Sequence, residues 1–321
     1  MSKVSLIPGI TGQDGAYLAN FLLKKEHQVI GLVRHGQEGN QISGLKHLSI
    51  MDKIQIFPCN LCSLDEVKEL LISVKPDEIY NLAGESSVGR SFKFPNETLS
   101  FNIASVITLL EAIRCNGPEI KFYQASSSEM FGLTERLPIT ENTAFNPVSP
   151  YAVSKASAHW IAKNYRESYD LFISCGILFN HESYLRPRNY FIKNLICEAL
   201  DVKEGKKKNL VVGNLSLKRD FGFAPSYVEA MYLMLQHHKP DDFLICSGKS
   251  LLLQDIADYV CDKIGIDRRC QIQNKELIRP MDIPDIYGNN TKAKNELKWS
   301  YELSFFDVID RLISEERNER I

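Results

Sequence analysis

Tyr151 and Lys155 stand four residues apart in the segment SPYAVSKASAHWIAKNY. On a helix that spacing puts both side chains on one face. A phenol that exchanges a proton with a substrate hydroxyl needs its pKa brought toward neutrality. A neighbouring ammonium does this by favouring the phenolate, and the same lysine can hold a ribose. Any helix can carry Y-x-x-x-K by chance, so the pair takes its meaning from what precedes it. Upstream, FYQASSSEMFG ends an apolar run in Ser126, Ser127, Ser128 and Glu129. The hydroxyls can hydrogen-bond a reacting oxygen, and Glu129 offers a general acid or base. The plainer alternative is that the serines cap a turn and Glu129 points into water.

A second constellation lies at the start of the chain. Gly9-Ile10-Thr11-Gly12-Gln13-Asp14-Gly15 follows an apolar run and opens a helical pattern. Glycines there allow a tight turn and a close approach to a pyrophosphate, which the helix N-terminus then binds. The spacing is G-x-x-G-x-x-G, and its position at the first strand–helix junction makes it a cofactor signal. The next strand ends in Gly31-Leu32-Val33-Arg34-His35. Arginine at that point suits a 2′-phosphate and leaves no carboxylate to repel it. This favours NADP and keeps NAD open.

These residues need elements to position them. The sequence predicts strands over residues 3–8, 28–33, 54–57, 78–82, 120–125 and 171–178. Helices are predicted over 13–25, 63–74, 101–114 and 149–169. Ser63 caps the second helix, with Asp65 and Glu66 in its first turn. Strands that are apolar along nearly their whole length are buried on both faces. Their alternation with helices gives an α/β fold, a Rossmann-type doubly wound parallel sheet. Residues 1–179 form the dinucleotide-binding domain. Residues 180–321 form mainly a smaller C-terminal substrate-binding lobe, with some segments returning to the first domain. Helices are expected there over 229–237, 252–264 and 305–316, and the basic run 203–208 reads as a solvated loop.

The 321 residues are 44% hydrophobic, enough for a large core, and the net charge of −2 gives no bias toward nucleic acid or membrane. No apolar run is expected to reach membrane-spanning length, and the N-terminus has no room for a signal peptide. The expected location is cytoplasmic. Most of the eight cysteines sit in apolar segments. Cys59 and Cys62 make a lone C-x-x-C at a strand end, without a second pair or a nearby histidine. No metal site is expected, and all eight are read as reduced and structural.

On these motifs the chain resembles the extended short-chain dehydrogenase/reductases and, within them, the GDP-mannose 4,6-dehydratase family. The similarity runs over essentially the whole chain. It is carried by GITGQDGAYLA, EIYNLAG, FYQASSSEMFG, SPYAVSKASAHWIAKNYRESY, GILFNHES, KRDFGFAPSYVEAMYLMLQ and IRPMDI. The resemblance implies an enzyme that uses bound NADP as a hydride shuttle. Tyr151 would deprotonate the sugar C4 hydroxyl, and Lys155 would assist. Glu129 would take the C5 proton and help expel the C6 hydroxyl. Ser127, standing where the family usually has Thr, would bond the C4 oxygen, with Ser128 near C6. It further implies cofactor contacts from Gly9, Gly12, Gln13, Asp14, Gly15, Arg34, Asn60, Leu61, Leu82, Ala83, Leu178 and His181. Arg186 would reach toward a neighbouring subunit's cofactor, in a homodimer or homotetramer. Ser86, Asn180, Phe191, Arg219 and Arg279 would hold the GDP-sugar, the two arginines gripping its diphosphate.

The chain departs from the family pattern at the edges of the site. Pro8 replaces a Thr, His35 an Arg, Gly36-Gln37 a serine pair and Asn60 an Asp. Glu85 replaces a Gln, which adds a charge near the nicotinamide end. Phe191 and Asn194 stand where Val and Lys are usual, and Phe221, Phe223 and Ser226 also differ. GDP-mannose is therefore the first expectation, with GDP-N-acetylglucosamine or a GDP-heptose as rivals. A nucleotide-sugar C4 epimerase or reductase is the other enzymatic reading, against which Glu129 argues. A cofactor-binding regulator without catalysis would be expected to lack Tyr151 or Lys155.

Overall fold

The structure, a computed structural model, describes residues 2–37 and 42–320. Its first half alternates strand and helix. The elements are β1 (Val4–Pro8), α1 (Gln13–Lys24), β2 (Gln28–Val33), α2 (Ser43–His47), β3 (Gln55–Pro58) and α3 (Leu64–Val74). There follow β4 (Glu78–Asn81), α4 (Val88–Lys93), α5 (Pro95–Asn116), β5 (Lys121–Ser127), α6 (Pro150–Tyr169) and β6 (Ile173–Leu178). The second half begins with β7 (Asn180–Glu182), α7 (Phe191–Lys203), β8 (Leu210–Val212), β9 (Lys218–Arg219) and β10 (Phe221–Phe223). It continues through α8 (Ala224–Gln236), β11 (Asp242–Ile245), β12 (Leu251–Leu252), α9 (Leu253–Ile264), β13 (Gln271–Gln273) and α10 (Phe305–Asn318).

Seven strands form one parallel sheet in the order β11-β6-β5-β4-β1-β2-β3. The inner strands β4 and β6 are buried at every residue, the polar Glu78, Asn81 and Ser174 included, whereas edge strand β3 is largely exposed. Apolar residues of α3, α5 and α6 cover one face of the sheet, and those of α1 and α8 the other. The chain leaves β1 toward β2 and β3, then returns to β4 on the opposite side. The crevice at the carboxyl ends of β1 and β4 is thus the switch point where an open α/β sheet binds ligands. A separate core, built from α7, α9, α10 and β8, forms the lobe over that crevice. Strand β11 and helix α8 come late in the chain but complete the large sheet and its cover.

Several elements differ from the sequence expectation. Helix α5 starts at Pro95, six residues before the predicted 101, and α8 starts at Ala224 rather than 229. In both, proline sits in the first turn, where its fixed φ suits a helix start and its missing N–H costs nothing. Helix α4 is unforeseen because six residues are too few to show a period; Ser87 Oγ caps it by accepting from Arg90 N–H at 3.2 Å. Helix α7 was legible but unread: Ile192, Leu195, Ile196, Ala199 and Leu200 recur at helical spacing and are all buried. One correction bears on membranes. Helix α5 is, by length and composition, apolar enough to cross one. Here it lies against the sheet, with Val106, Leu109, Leu110, Ala112 and Ile113 in the core.

Candidate active site

The glycine loop is dictated by close packing. Gly9 has φ +86°, and a Cβ there would lie 2.7 Å from the Leu82 carbonyl carbon and 2.8 Å from Ala83 N. A Cβ on Gly15 would run into the Gly9 carbonyl oxygen. Helix α1 then begins with Gly12 as its N-cap, with no side chain capping it. Its first-turn N–H groups are left for an anion. This fits a dinucleotide pyrophosphate. Gln13, Asp14 and His181, expected at the cofactor, are also knit to one another. The Asp14 carboxylate lies 2.9 Å from His181 Nε2. Gln13 Nε2 donates to the His181 carbonyl at 3.2 Å and accepts at Oε1 from Ser183 Oγ at 2.7 Å. Burial alone would raise Asp14, but the charge and hydrogen bond of His181 outweigh it and hold the carboxyl at about 2. Burial opposes charge on His181 too, yet Asp14 carries its pKa upward.

At the far end of the loop, the Arg34 guanidinium lies over the Phe101 ring at 4.6 Å. The expectation of no nearby carboxylate needs correcting. Glu66, in the first turn of α3, stands 2.8 Å from His35 Nε2 and accepts from Asn60 N–H at 2.9 Å. The bond from Asn60 N–H, with that to His35, lowers the Glu66 pKa. The Asn60 side chain is itself engaged, accepting from Cys62 N–H at 3.1 Å.

Strand β5 delivers Ser127 to the crevice, and a tight turn through Ser128 and Glu129 follows. The Ser127 hydroxyl accepts from Glu129 N–H at 3.3 Å, so the capping alternative for this serine holds for its local bond. Helix α6 starts under a Ser149 cap, and Tyr151 and Lys155 occupy one buried face of it. Lys155 Nζ donates to the Ala125 carbonyl at 2.9 Å and lies 6.0 Å from the centre of the Tyr151 ring. Burial pushes Lys155 down to about 8, with Asp14 opposing. Burial likewise pushes the Tyr151 phenol well above its ordinary value. A hydrogen bond with Ser127 and the charge of Arg186 work against that rise, while Tyr190 and Glu129 add to it. The lowering of the phenol that the spacing to Lys155 suggests is thus opposed here by burial.

The lobe supplies the opposite wall. Arg219 is buried and donates to the carbonyls of Ile283 at 2.6 Å and Lys218 at 2.7 Å. Arg219 and Arg279 approach the same carboxylate, Asp282, at 3.8 and 3.6 Å. Burial lowers the Arg219 pKa, and the charge of Glu129 opposes this. Glu129 is thus within electrostatic reach of both Tyr151 and Arg219. Asn180 Nδ2 donates to the Asp220 carbonyl at 3.4 Å. The charge added by Glu85 is compensated, because Arg90 Nε donates to it at 2.7 Å. Arg186, expected to reach a neighbouring subunit, sits in the wall of this chain's own cleft, 3.6 Å from Glu182 and over the Tyr190 ring at 3.7 Å.

Every residue named above as catalytic, cofactor-binding or substrate-binding, Leu61, Leu178 and Phe191 included, lines one cleft of about 2050 Å³. Tyr190 also lines it and was missed, since no local pattern marks it. The eight cysteines are free, but Cys62 and Cys115 are exposed rather than packed. Away from the cleft, His159, Cys175 and Asp242 have ligand atoms within 4.8 Å of one another. Arg166 clamps Asp242 of this group through two bonds of 2.8 and 3.1 Å.

The family model described as GDP-mannose 4,6 dehydratase matches residues 6–312. The chain is 38% identical over 325 residues to GDP-mannose 4,6 dehydratase 1 of Arabidopsis thaliana, spanning 98% of this chain and 90% of that protein. Among solved structures, dTDP-glucose 4,6-dehydratase from Bacillus anthracis in complex with NAD superposes with a TM-score of 0.86 at 22% identity, over 99% of this chain and 98% of the other. RMD from Pseudomonas aeruginosa complexed with NADPH gives a TM-score of 0.81 at 20% identity, with all of both chains covered.

Proposed function

The chain belongs to the GDP-mannose 4,6-dehydratase family, and from that premise we propose that it converts GDP-mannose to GDP-4-keto-6-deoxymannose and water, with NADP as its resident cofactor. The observation that carries the reading is the position of Glu129. It lines the cleft together with Tyr151 and Arg219, and its charge acts on both. That is where a base must sit if the C4 oxygen rests on Tyr151 and the diphosphate on the lobe. A C4 epimerase or reductase has no use for a carboxylate there.

The first-turn N–H groups of α1 and the close-packed Gly9 and Gly15 would hold the pyrophosphate. Lys155 would hold the nicotinamide ribose. Arg34 favours NADP over NAD, because its guanidinium can take a 2′-phosphate in two bonds. His35 keeps the Glu66 carboxylate engaged and out of the cleft lining. When bound, the dinucleotide would supply the hydride acceptor for C4 and the hydride donor for C6. Tyr151 removes the C4 hydroxyl proton, and Ser127 hydrogen-bonds the resulting oxygen. The C4 ketone acidifies the C5 proton, which Glu129 removes. Glu129 then protonates the departing C6 hydroxyl as water, with Ser128 beside it. The proton that Tyr151 took from the C4 oxygen is returned to C5, which completes the 6-deoxy product and restores Tyr151. Arg219 and Arg279 grip the diphosphate and Asn180 its edge. The assembly is a homodimer or homotetramer, seated on exposed Ile107, Val153 and Trp160 of α5 and α6; light scattering of the purified protein decides its size.

The test uses purified protein and a panel of nucleotide sugars with no cofactor added. GDP-mannose should lose one water by mass spectrometry, showing also that the cofactor copurifies. Turnover of GDP-N-acetylglucosamine or a GDP-heptose, with GDP-mannose left intact, would move the assignment to that sugar. A product of unchanged mass would make the enzyme an epimerase.

A further inference from the structure

The hydride and proton steps make no use of Tyr190, yet its side chain lines the cleft. Its backbone is the N-cap of α7. The Tyr190 amide donates to the Pro187 carbonyl at 3.1 Å, and its own carbonyl accepts from Asn194 N–H at 2.9 Å. The side chain takes no part in that cap. Arg186 covers its ring at 3.7 Å, and its hydroxyl lies 2.6 Å from Ser86 Oγ. Ser86 follows β4 in the dinucleotide-binding half, whereas Tyr190 opens α7 in the lobe. This one hydrogen bond therefore spans the cleft. The phenol also raises the pKa of Tyr151, so it lies within electrostatic reach of the reacting centre.

We propose that Tyr190, acting with Ser86, recognises the hexose hydroxyls that take no part in the reaction, those on C2 and C3, and so sets which GDP-hexose is accepted. This rests on the 4,6-dehydratase reading above. The chemistry of that reaction constrains C4, C5 and C6 alike in every substrate. Discrimination among hexoses must come from the remaining ring positions. Two paired hydroxyls suit that task. Their mutual bond uses one donor, leaving the other O–H and several lone pairs for a group that both donates and accepts, which is what a sugar hydroxyl is. A site built to hydrogen-bond a hydroxyl rejects the analogue lacking it, far more sharply than an apolar wall can. The stacked guanidinium and the capped backbone fix the phenol in advance, so little order has to be imposed on binding.

The test compares wild type with Tyr190→Phe, which keeps the ring under Arg186 and removes only the hydroxyl. Each is assayed with GDP-mannose and with its 2-deoxy and 3-deoxy analogues. Wild type should prefer GDP-mannose over at least one analogue. In Tyr190→Phe, kcat/KM for GDP-mannose should fall about tenfold, and that preference should collapse toward parity. The melting temperature and NADP affinity should stay unchanged. Full preference retained by Tyr190→Phe would overturn the proposal. So would an equal loss on all three sugars together with lost NADP binding, since that marks a packing role. The reaction class is read separately, from water loss by wild type. If that fails, calorimetric binding of the same three GDP-sugars to both proteins still decides whether Tyr190 discriminates.

Discussion

In the proposed mechanism Glu129 decides the outcome of the chemistry, because the other groups assigned to it would serve any C4 oxidation. Replacing it by Gln keeps the size and removes the base. Glu129→Gln should therefore abolish water loss, by about a hundredfold or more on the usual scale for a positioned base. Oxidation at C4 should remain visible as nicotinamide absorbance. Tyr151→Phe should suppress both signals. Unimpaired water loss in Glu129→Gln would remove that residue from the mechanism. These residues were legible in the sequence because each lies in a contiguous motif. Tyr190 was not, since its partner Ser86 is 104 residues away and only the fold makes them neighbours. The compensation of Glu85 by Arg90 was hidden for a different reason. The two lie five residues apart across a turn into a helix too short to predict. The upward push on the Tyr151 phenol was also beyond the sequence, since the spacing announces a nearby ammonium but not the burial.

Among elements, the join between α1 and the β6–β7 segment carries most of the order at the cofactor end. Asp14 at the start of α1 and His181 in β7 form a largely enclosed ion pair. An ordinary Asp titrates near 3.9, whereas Asp14 is held at about 2. A folded-state pKa below the unfolded one adds stability that is complete above about pH 4. That stability is lost as pH falls through about 2. Asp14→Asn should be less stable than wild type at pH 7, and the gap should close between pH 4 and 2. Urea titrations of both proteins across that range measure it, and a gap independent of pH would show that the pair contributes nothing through Asp14 ionisation. Sequence reading reached the glycine loop at this join but not the pairing, because Asp14 and His181 are 167 residues apart. It reached most helices and six of the seven strands of the main sheet. It missed β11, the short strands β7–β10, β12 and β13, and helices where period was absent, as in α4, or set aside, as in α7.

At the scale of the whole molecule, two independently built cores meet at one cleft, the sheet with its covering helices below and the lobe above. The alternation of elements revealed the class of the sheet. The sequence implies that some segments of 180–321 return to the first domain, but it could not say that β11 and α8 are among them, since strand order depends on packing across the whole chain. The proposed sites divide between the cores: Arg34 and the α1 N-terminus belong to the sheet, and Arg219 to the lobe. A ligand that binds only the folded state, at a hundred times its Kd, adds about 2.7 kcal/mol. For a chain of this size that is a rise of about 5 °C in melting temperature. Measured on protein first stripped of its dinucleotide, NADP and GDP should each produce such a shift in wild type. Arg219→Ala should lose the GDP shift and keep the NADP shift. Arg34→Ala should lose most of the NADP shift while keeping those of GDP and NAD. Thermal melts of the three proteins test this, and an Arg34→Ala protein that still prefers NADP to NAD would assign the 2′-phosphate to other residues.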